Sequence, residues 1–327
     1  MIQNQQVETI LAGTPGDQPV VKAKQVQDIN WVQRLFRNRK AAFGITLIVF
    51  FIVVAILAPV IAPGDPMEFV TRPRQAPTAQ YPFGTSGTGQ SIFSQVVWGT
   101  RITLGIAFTV GILVTLIGIA VGMSAGYIGG WVDEVLSLLT NIVLIIPSLP
   151  LMVVLAAFMR PGPLTMIFVL VVTGWAWPAR VLRSQTLSLR EKDFVFASVV
   201  SGESKARIVF TEILPHMTSL AVSSMIGSTV YAIAASVSLE FLGLGNVSRA
   251  SWGTVLFWSQ NNSAMLTGAW WTFLPVGICM AIAAFALTLI NYGIDEITNP
   301  RLRALSEVPH AVKKFFSRNR CTTPVLK

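Results

Sequence analysis

Long runs without charged residues alternate with short polar segments along most of this chain. The uncharged runs cover residues 41–64, 102–132, 135–159, 161–179, 217–239 and 250–294. A helix needs about 20 apolar residues to cross the hydrocarbon core of a bilayer, so each of the first five runs predicts one span. The last run is long enough for two spans, but its segment 259–263 is too polar to cross lipid. We therefore expect one span over 269–294, and an all-α membrane protein with six transmembrane helices.

Lysine and arginine collect in three of the polar segments, which are 1–40, 180–216 and the tail after the last span. The remaining segments hold only Arg72, Arg74, Arg101, Arg160 and Arg249. Cytoplasmic segments of membrane proteins carry an excess of these residues, so both termini are predicted to be cytoplasmic. This placement also explains the net charge of +9. Nucleic-acid binding is not expected, because no basic helix is interleaved with stacking aromatic residues.

The predicted organisation follows from these boundaries. It consists of a cytoplasmic N-terminal tail (1–40), a first span (41–64), an outer loop (65–101), a core domain (102–303) and a cytoplasmic C-terminal tail (304–327). Apolar residues at helical spacing, Trp31, Val32, Leu35 and Phe36, indicate a short helix on the inner membrane surface. A simple basic flank is the alternative interpretation.

Four glycines recur at every fourth position of the second span: Gly118, Gly122, Gly126 and Gly130. Residues at this spacing share one helix face, and small residues there let a neighbouring helix approach closely in a membrane. The pattern predicts tight helix packing. A ligand groove along the same face is the alternative.

Glu240 is the one acidic residue near the end of the fifth span. A carboxylate within hydrocarbon costs roughly 2.5–3.5 kcal/mol, so such a residue is a candidate for the transport pathway or a gate. The alternative is that Glu240 is solvated at the outer surface, since the span should end near Gly245. Two further acids, Asp133 and Glu134, begin the third span, where a helix N-terminus favours negative charge.

Several kinds of chemistry are absent from the sequence. There is no Gly-x-x-x-x-Gly-Lys phosphate loop, no His-Glu-x-x-His and no Gly-x-Ser-x-Gly, and the chain has two histidines. We therefore expect no catalytic site, and no cofactor or metal bound by this chain. An ion-coupled carrier needs titratable groups or broken helices near the membrane midplane, and the spans offer almost no titratable groups. The chain is predicted to be a conduit whose energy comes from another protein.

The polar segment 180–216, here called the docking loop, has the pattern of a helix, a glycine and a second helix. We predict a helix over 184–198, a bend at Gly202 and a second helix over 204–214 that ends before Pro215. The small residues Ala197 and Ser198 allow close approach to another surface. Such a unit suits insertion into a cleft on a partner protein.

These residues resemble the permease subunits of bacterial ABC importers, in the dipeptide, oligopeptide and nickel branch. The loop signature of that family is Glu-Ala-Ala, three residues, Gly and, after a fixed interval, Leu-Pro. Here it becomes Phe196-Ala197-Ser198, Gly202 and Leu214-Pro215 with the spacing kept. Further matches include Trp98-Gly99-Thr100-Arg101, Trp177-Pro178-Ala179-Arg180, Phe241-Leu242-Gly243-Leu244-Gly245 and Asn299-Pro300-Arg301. The resemblance runs from about residue 31 to 303 and most closely suits the second of the two permeases in such systems.

The resemblance implies the type I ABC importer permease fold, with a coupling helix between spans four and five. The residues it implies for docking an ATPase are Phe196, Ala197, Ser198, Gly202, Glu203, Ser204 and Arg207. It also implies partners: a homologous second permease, two subunits that bind ATP and Mg, and an extracytoplasmic solute-binding protein. The implied location is a bacterial or archaeal plasma (inner) membrane, and the implied mechanism is alternating access.

The chain departs from the family pattern at two places. Phe196 replaces the loop glutamate and Ser198 replaces an alanine. In the outer loop, the family's Gly-Thr-Asp and Gly-Arg-Asp become Gly84-Thr85-Ser86 and Gly89-Gln90-Ser91. Loss of charge on the side that meets the binding protein keeps oligosaccharides, or nickel chelates, open as alternatives to di- and oligopeptides. A stand-alone ion-coupled carrier is the alternative from a different class.

Overall fold

The computed structural model describes residues 5–8, 22–25 and 38–298. Two short strands near the N-terminus, β1 (Gln5–Glu8) and β2 (Lys22–Gln25), pair antiparallel with Gln5 opposite Gln25. The sequence analysis did not predict this pairing. Everything else that the structure describes is helix, turn or loop. The predicted surface helix around 31–36 and the C-terminal tail 304–327 lie outside the described residues.

The helices follow one another along the chain with short connections. They are α1 (Arg39–Ile56), α2 (Ala58–Ile61), α3 (Ile92–Ile128), α4 (Gly130–Ile145), α5 (Ser148–Ala157), α6 (Pro163–Gly174), α7 (Ala176–Arg190), α8 (Asp193–Val200), α9 (Lys205–Arg207), α10 (Leu214–Phe241), α11 (Trp252–Asn261) and α12 (Leu274–Thr298). A π-helical segment, Ile208–Ile213, joins α9 to α10, and a 3₁₀ turn, Trp270–Thr272, precedes α12.

Four helices of the described chain are long and apolar enough to cross a membrane, and two bent pairs bring the number to the predicted six if each pair is one span. The continuous spans are Arg39–Ile56, Ile92–Ile128, Lys205–Phe241 and Leu274–Glu296. The bent pairs are α4 with α5, at 87°, and α6 with α7, at 40°. The final uncharged run contains one span, as predicted, and the short helix α11 that precedes it was not predicted.

Two span boundaries differ from the sequence prediction. The helix α3 begins at Ile92, with the Ser91 side chain accepting a hydrogen bond from the Ser94 N–H (3.4 Å), so Arg101 lies within a helix rather than in the outer loop. The third run is not one straight helix, because it breaks at Ile146 and Pro147. A residue before proline is disfavoured in helical conformation, and Ile146 is accordingly extended.

The long helix α3 occupies the centre of the bundle and packs against α6, α7 and α10, while α1 packs against α12. Trp252, at the start of α11, is fully buried beside α3 and donates from its indole N–H to the Val96 carbonyl (3.3 Å). The largest core cluster joins residues from these helices, among them Ala107, Val110, Leu170, Ala232 and Ala286. This core fixes the position of α10, while α7 is held by its direct packing against α3.

The outer segment 65–91 folds back onto the loop between α11 and α12. Trp271 donates from its indole N–H to the Thr85 carbonyl (3.2 Å), and Arg74 donates to the Asn262 carbonyl (2.9 Å). Ser86 and Gln90, at the places where the family carries charge, are buried. Ser91, the third of these positions, is half-buried, so two of the three replaced side chains point into the folded segment.

Candidate functional site

The docking loop contains a short helix that is separated from α7 by a turn. The predicted helix over 184–198 is wrong as one element: α7 ends at Arg190, and α8 starts at Asp193 after a break at Glu191 and Lys192. The break lets α8 turn away from α7. It leaves α8 as a discrete element at the end of the bundle.

One side of α8 is anchored to the bundle. Val195 is 2% exposed and belongs to a cluster with Met123, Leu182, Ile208, Ile213 and Met217. The ring of Phe194 stacks on His216 of α10 with centroids 4.7 Å apart. The cluster links α8 to α3, α7 and α10, so a displacement of α8 must move those helices as well.

The other side of α8 is apolar and exposed. Phe196 is 54% exposed and Val200 is 87% exposed, with Val199 also on the surface. Phe210, in the π-helical segment that follows, is exposed as well. Ala197 is exposed as well, while Ser198 is half-buried and donates to the Phe194 carbonyl (3.1 Å). Exposed aliphatic and aromatic side chains on a helix of this length form a surface suited to packing against another protein.

A glycine turn follows α8. Gly202 has a φ of 77°, a left-handed conformation that other residues rarely adopt, so the predicted bend at this position is present. Ser204 then caps α9 by accepting from the Arg207 N–H (3.4 Å), and Arg207 forms an ion pair with Glu203 (3.6 Å). A Cβ at Gly202 would have no atom of the described chain within 4 Å.

The second half of the docking loop is continuous with the fifth span. The predicted helix over 204–214 does not end before Pro215, because the chain remains helical from Lys205 through Phe241. The π-helical segment 208–213 comes directly before Pro215, which sits in the first turn of α10. Proline is tolerated there because it lacks only an N–H that the local helix can leave unpaired. The docking loop thus joins a membrane-crossing helix without a flexible connection.

Three of the four predicted packing glycines contact α7. A Cβ at Gly118 would lie 2.8 Å from Pro178, one at Gly122 would lie 2.5 Å from the Ala179 carbonyl oxygen, and one at Gly126 would lie 2.8 Å from Thr186. Gly130 is different: it starts α4, has a φ of 55° and has no atom within 4 Å of the Cβ position. The prediction that it shares the packing face is wrong because α3 ends at Ile128.

Glu240 is buried rather than solvated. It is 5% exposed, and its Oε2 accepts from the Ser251 hydroxyl (2.6 Å). The backbone N–H of Gly253 also faces the carboxylate. The solvated interpretation is therefore wrong, and Glu240 instead joins the end of α10 to the start of α11.

The sequence analysis missed two polar contacts between α4 and α7. Asp133 forms a two-point ion pair with Arg183, at 2.5 and 2.7 Å. Asn141 accepts from the Arg180 guanidinium through its Oδ1 (2.6 Å). Arg180 had been assigned to the docking loop because the fourth uncharged run stops at Ala179, yet α7 continues to Arg190. The spacing places Arg180 and Arg183 on one helix face, but nothing in the sequence shows that this face meets α4.

Comparison with solved structures defines the fold. One chain of the MetNI methionine ABC transporter, in an inward-facing conformation, superposes with a TM-score of 0.52 and 21% identity, covering 65% of this chain and 97% of that chain. The fold is therefore the type I ABC importer permease fold.

Sequence relatives define the family. Residues 118–304 match the family described as binding-protein-dependent transport system inner membrane component, and residues 25–80 match the N-terminal transmembrane domain of oligopeptide transport permease C. The dipeptide transport system permease protein DppC of Bacillus subtilis is 30% identical over 83% of this chain and 85% of its own. The oligopeptide transport system permease protein OppC of the same organism is 30% identical over 89% of this chain and 96% of its own. The chain belongs to this inner-membrane component family and is a permease subunit of a binding-protein-dependent ABC importer.

Proposed function

We propose that this permease forms half of a peptide translocation path and is driven by an ATPase subunit that docks on α8. The observation that carries this proposal is the construction of the docking loop: α8 is anchored on one side, apolar and exposed on the other, and followed by a helix continuous with a span. A docked element transmits force only if it is packed and stiff, and both properties are present here.

The proposed machine contains a homologous second permease, two ATP-binding subunits and an extracytoplasmic solute-binding protein. ATP and Mg belong to the ATP-binding subunits, so this chain needs no cofactor of its own. Closure of those subunits on ATP displaces α8, and through the cluster around Val195 it moves α3, α7 and α10. The two permeases then alternate between outward and inward access to a shared cavity.

The proposed cargo is a di- or oligopeptide. The support comes from the relatives, whose names describe dipeptide and oligopeptide transport. The argument for oligosaccharides rested on charge lost from the outer loop. The burial of Ser86 and Gln90 weakens it, while half-buried Ser91 still lacks the family's charge. Both termini are proposed to be cytoplasmic, as the distribution of Lys and Arg favours.

The test combines purification with one pair of variants. The tagged chain, coexpressed with the genes beside its own, is expected to retain a second permease and ATP-binding subunits. Peptide-loaded binding protein, and not sugar-loaded binding protein, should stimulate ATP hydrolysis. Gly202→Asp should keep the second permease but lose ATPase retention and uptake, because it adds bulk and charge to the docking turn.

Gly268→Asp is the matched control. Gly268 has a similar φ of 71° and also has no neighbour within 4 Å of a Cβ, but it lies in the loop between α11 and α12. Its substitution introduces the same backbone strain away from α8 and should leave ATPase retention unchanged. Undiminished uptake and ATPase retention in Gly202→Asp would refute docking at this turn. Stimulation of ATP hydrolysis only by sugar-loaded binding protein would support the ATP-driven importer but contradict the proposed peptide cargo.

A further inference from the structure

An exposed arginine, Arg180, lies within α7, which is the second half of a bent candidate span. Arg180 is ten residues before the end of α7 at Arg190, and its partner Asn141 is eleven residues after the start of α4 at Gly130. At about 1.5 Å per residue, both lie roughly 15 Å from the ends of their helices on the side of the docking loop. An ionised side chain within a candidate span is a candidate for a site on a transport path.

The charge of Arg180 is not neutralised by the part of the chain that the structure describes. Within residues 38–298, its guanidinium has a hydrogen bond to Asn141 but no Asp or Glu within 4 Å. Arg183, one turn along the same helix, contrasts with it because Asp133 holds it by two hydrogen bonds. Asn141 orients Arg180 and leaves most of its five N–H donors available.

Arg180 and Asn141 line a cleft of about 80 Å³ between α3, α4 and α7. Its other polar lining groups are Ser137, Thr140 and Arg183. The cleft lies beside both helix breaks, since Asn141 is five residues before Ile146 and Arg180 is five residues after Trp175. Transporters commonly bind their substrates at discontinuous helices.

We propose that Arg180, oriented by Asn141, binds the carboxylate of a peptide as it crosses the membrane. This inference rests on the proposed function. A guanidinium presents N–H groups in a planar fork that matches the two oxygens of a carboxylate, and each peptide with a free C-terminus carries one. A lipid phosphate shares this chemistry, and the experiment below separates the two sources by lipid composition.

The experiment uses the complete complex, with its second permease and ATP-binding subunits, in nanodiscs and in liposomes. A fluorescent tripeptide is prepared with a free C-terminal carboxylate and as the C-terminal amide. Binding of each to the nucleotide-free complex is measured first. ATP-driven uptake is then measured at equal occupancy of the binding protein. The variants are Arg180→Gln, Arg180→Lys and Asn141→Ala, with Arg160→Gln, in the loop between α5 and α6, as the charge-matched control.

The wild-type complex should prefer the carboxylate form. Arg180→Gln should weaken binding and uptake of that form by about tenfold or more and bring both forms to the same level. The amide form should be unaffected. Arg180→Lys should retain part of the preference, Asn141→Ala should reduce it, and Arg160→Gln should leave it intact. Retention of the second permease and of the ATP-binding subunits should not change in Arg180→Gln.

Three results would overturn the proposal. An equal reduction in the binding and uptake of both peptide forms would mean that Arg180 has a structural role. Activity that depends on Arg180 only in vesicles with anionic lipid would assign it to a lipid phosphate. Loss of the second permease from Arg180→Gln would make it an interface residue. Failure of the proposed function gives a different result. A wild-type complex that binds the carboxylate form through Arg180 but does not take it up with ATP would contradict the peptide importer. It would not contradict the carboxylate-binding site at Arg180.

Discussion

Replacing Gly122 with alanine tests whether the contact between α3 and α7 depends on the absence of a side chain. The added Cβ would lie 2.5 Å from the Ala179 carbonyl oxygen, 3.0 Å from the Arg183 nitrogen and 3.1 Å from the Leu182 Cβ. The first two are backbone atoms of α7, so a change of side-chain rotamer cannot relieve the overlap. The helices themselves must separate.

The expected loss of stability in Gly122→Ala follows from these distances. Ordinary contact begins near 3.4 Å, so the Ala179 carbonyl must retreat by about 0.9 Å, the difference between 3.4 and 2.5 Å. Overpacking of a well-packed contact costs about 1–3 kcal/mol. Alanine is also more favourable in a helix than glycine by up to about 1 kcal/mol, which partly offsets that loss.

Gly105→Ala is the matched control because Gly105 lies in the same helix and has no atom within 4 Å of its Cβ position. Both variants share the gain in helix propensity, so their difference isolates the overpacking. Gly122→Ala should be about 1–3 kcal/mol less stable than Gly105→Ala, a ratio of about 5- to 150-fold in the unfolding equilibrium. Unfolding by SDS in mixed micelles, followed by circular dichroism, measures this difference. Equal midpoints for the two variants would refute the argument for a glycine-dependent contact.

Two further substitutions test the polar links between helices. Glu240→Ala should destabilise the fold by about 1–3 kcal/mol in the same SDS unfolding assay, because the buried Ser251 hydroxyl loses its charged acceptor at 2.6 Å and keeps only the longer bond to the Thr254 hydroxyl (3.1 Å), whereas Glu240→Gln should cost less. A Gln variant as unstable as the Ala variant would contradict this, since the amide oxygen still accepts. Asp133→Asn should lose about 1 kcal/mol by leaving Arg183 unpaired, and a double-mutant cycle with Arg183→Gln should show coupling of similar size. Additive effects would mean that the ion pair contributes nothing to stability.

The number of spans and the place of the docking turn could be read from the sequence because both depend on local properties. An uncharged run of about 20 residues partitions into lipid whatever its neighbours are. A glycine between two polar helical segments adopts a left-handed turn at little steric cost, as Gly202 does with a φ of 77°. The packing face of Gly118, Gly122 and Gly126 follows from helix periodicity alone. The prediction failed at Gly130 because periodicity does not reveal that the helix ends at Ile128.

Tertiary structure decided everything that depends on which segments meet. The sequence contains Asp133, Arg180, Asn141 and Arg183 but does not show that α4 lies beside α7, so their contacts could not be predicted. Glu240 is buried only because Ser251 and the start of α11 cover it. Hydropathy thus determined how often the chain crosses the membrane, since lipid acts on each segment separately. The partners of the charged and polar groups were decided by helix packing, because a buried charge is stabilised by neighbours that are distant along the chain.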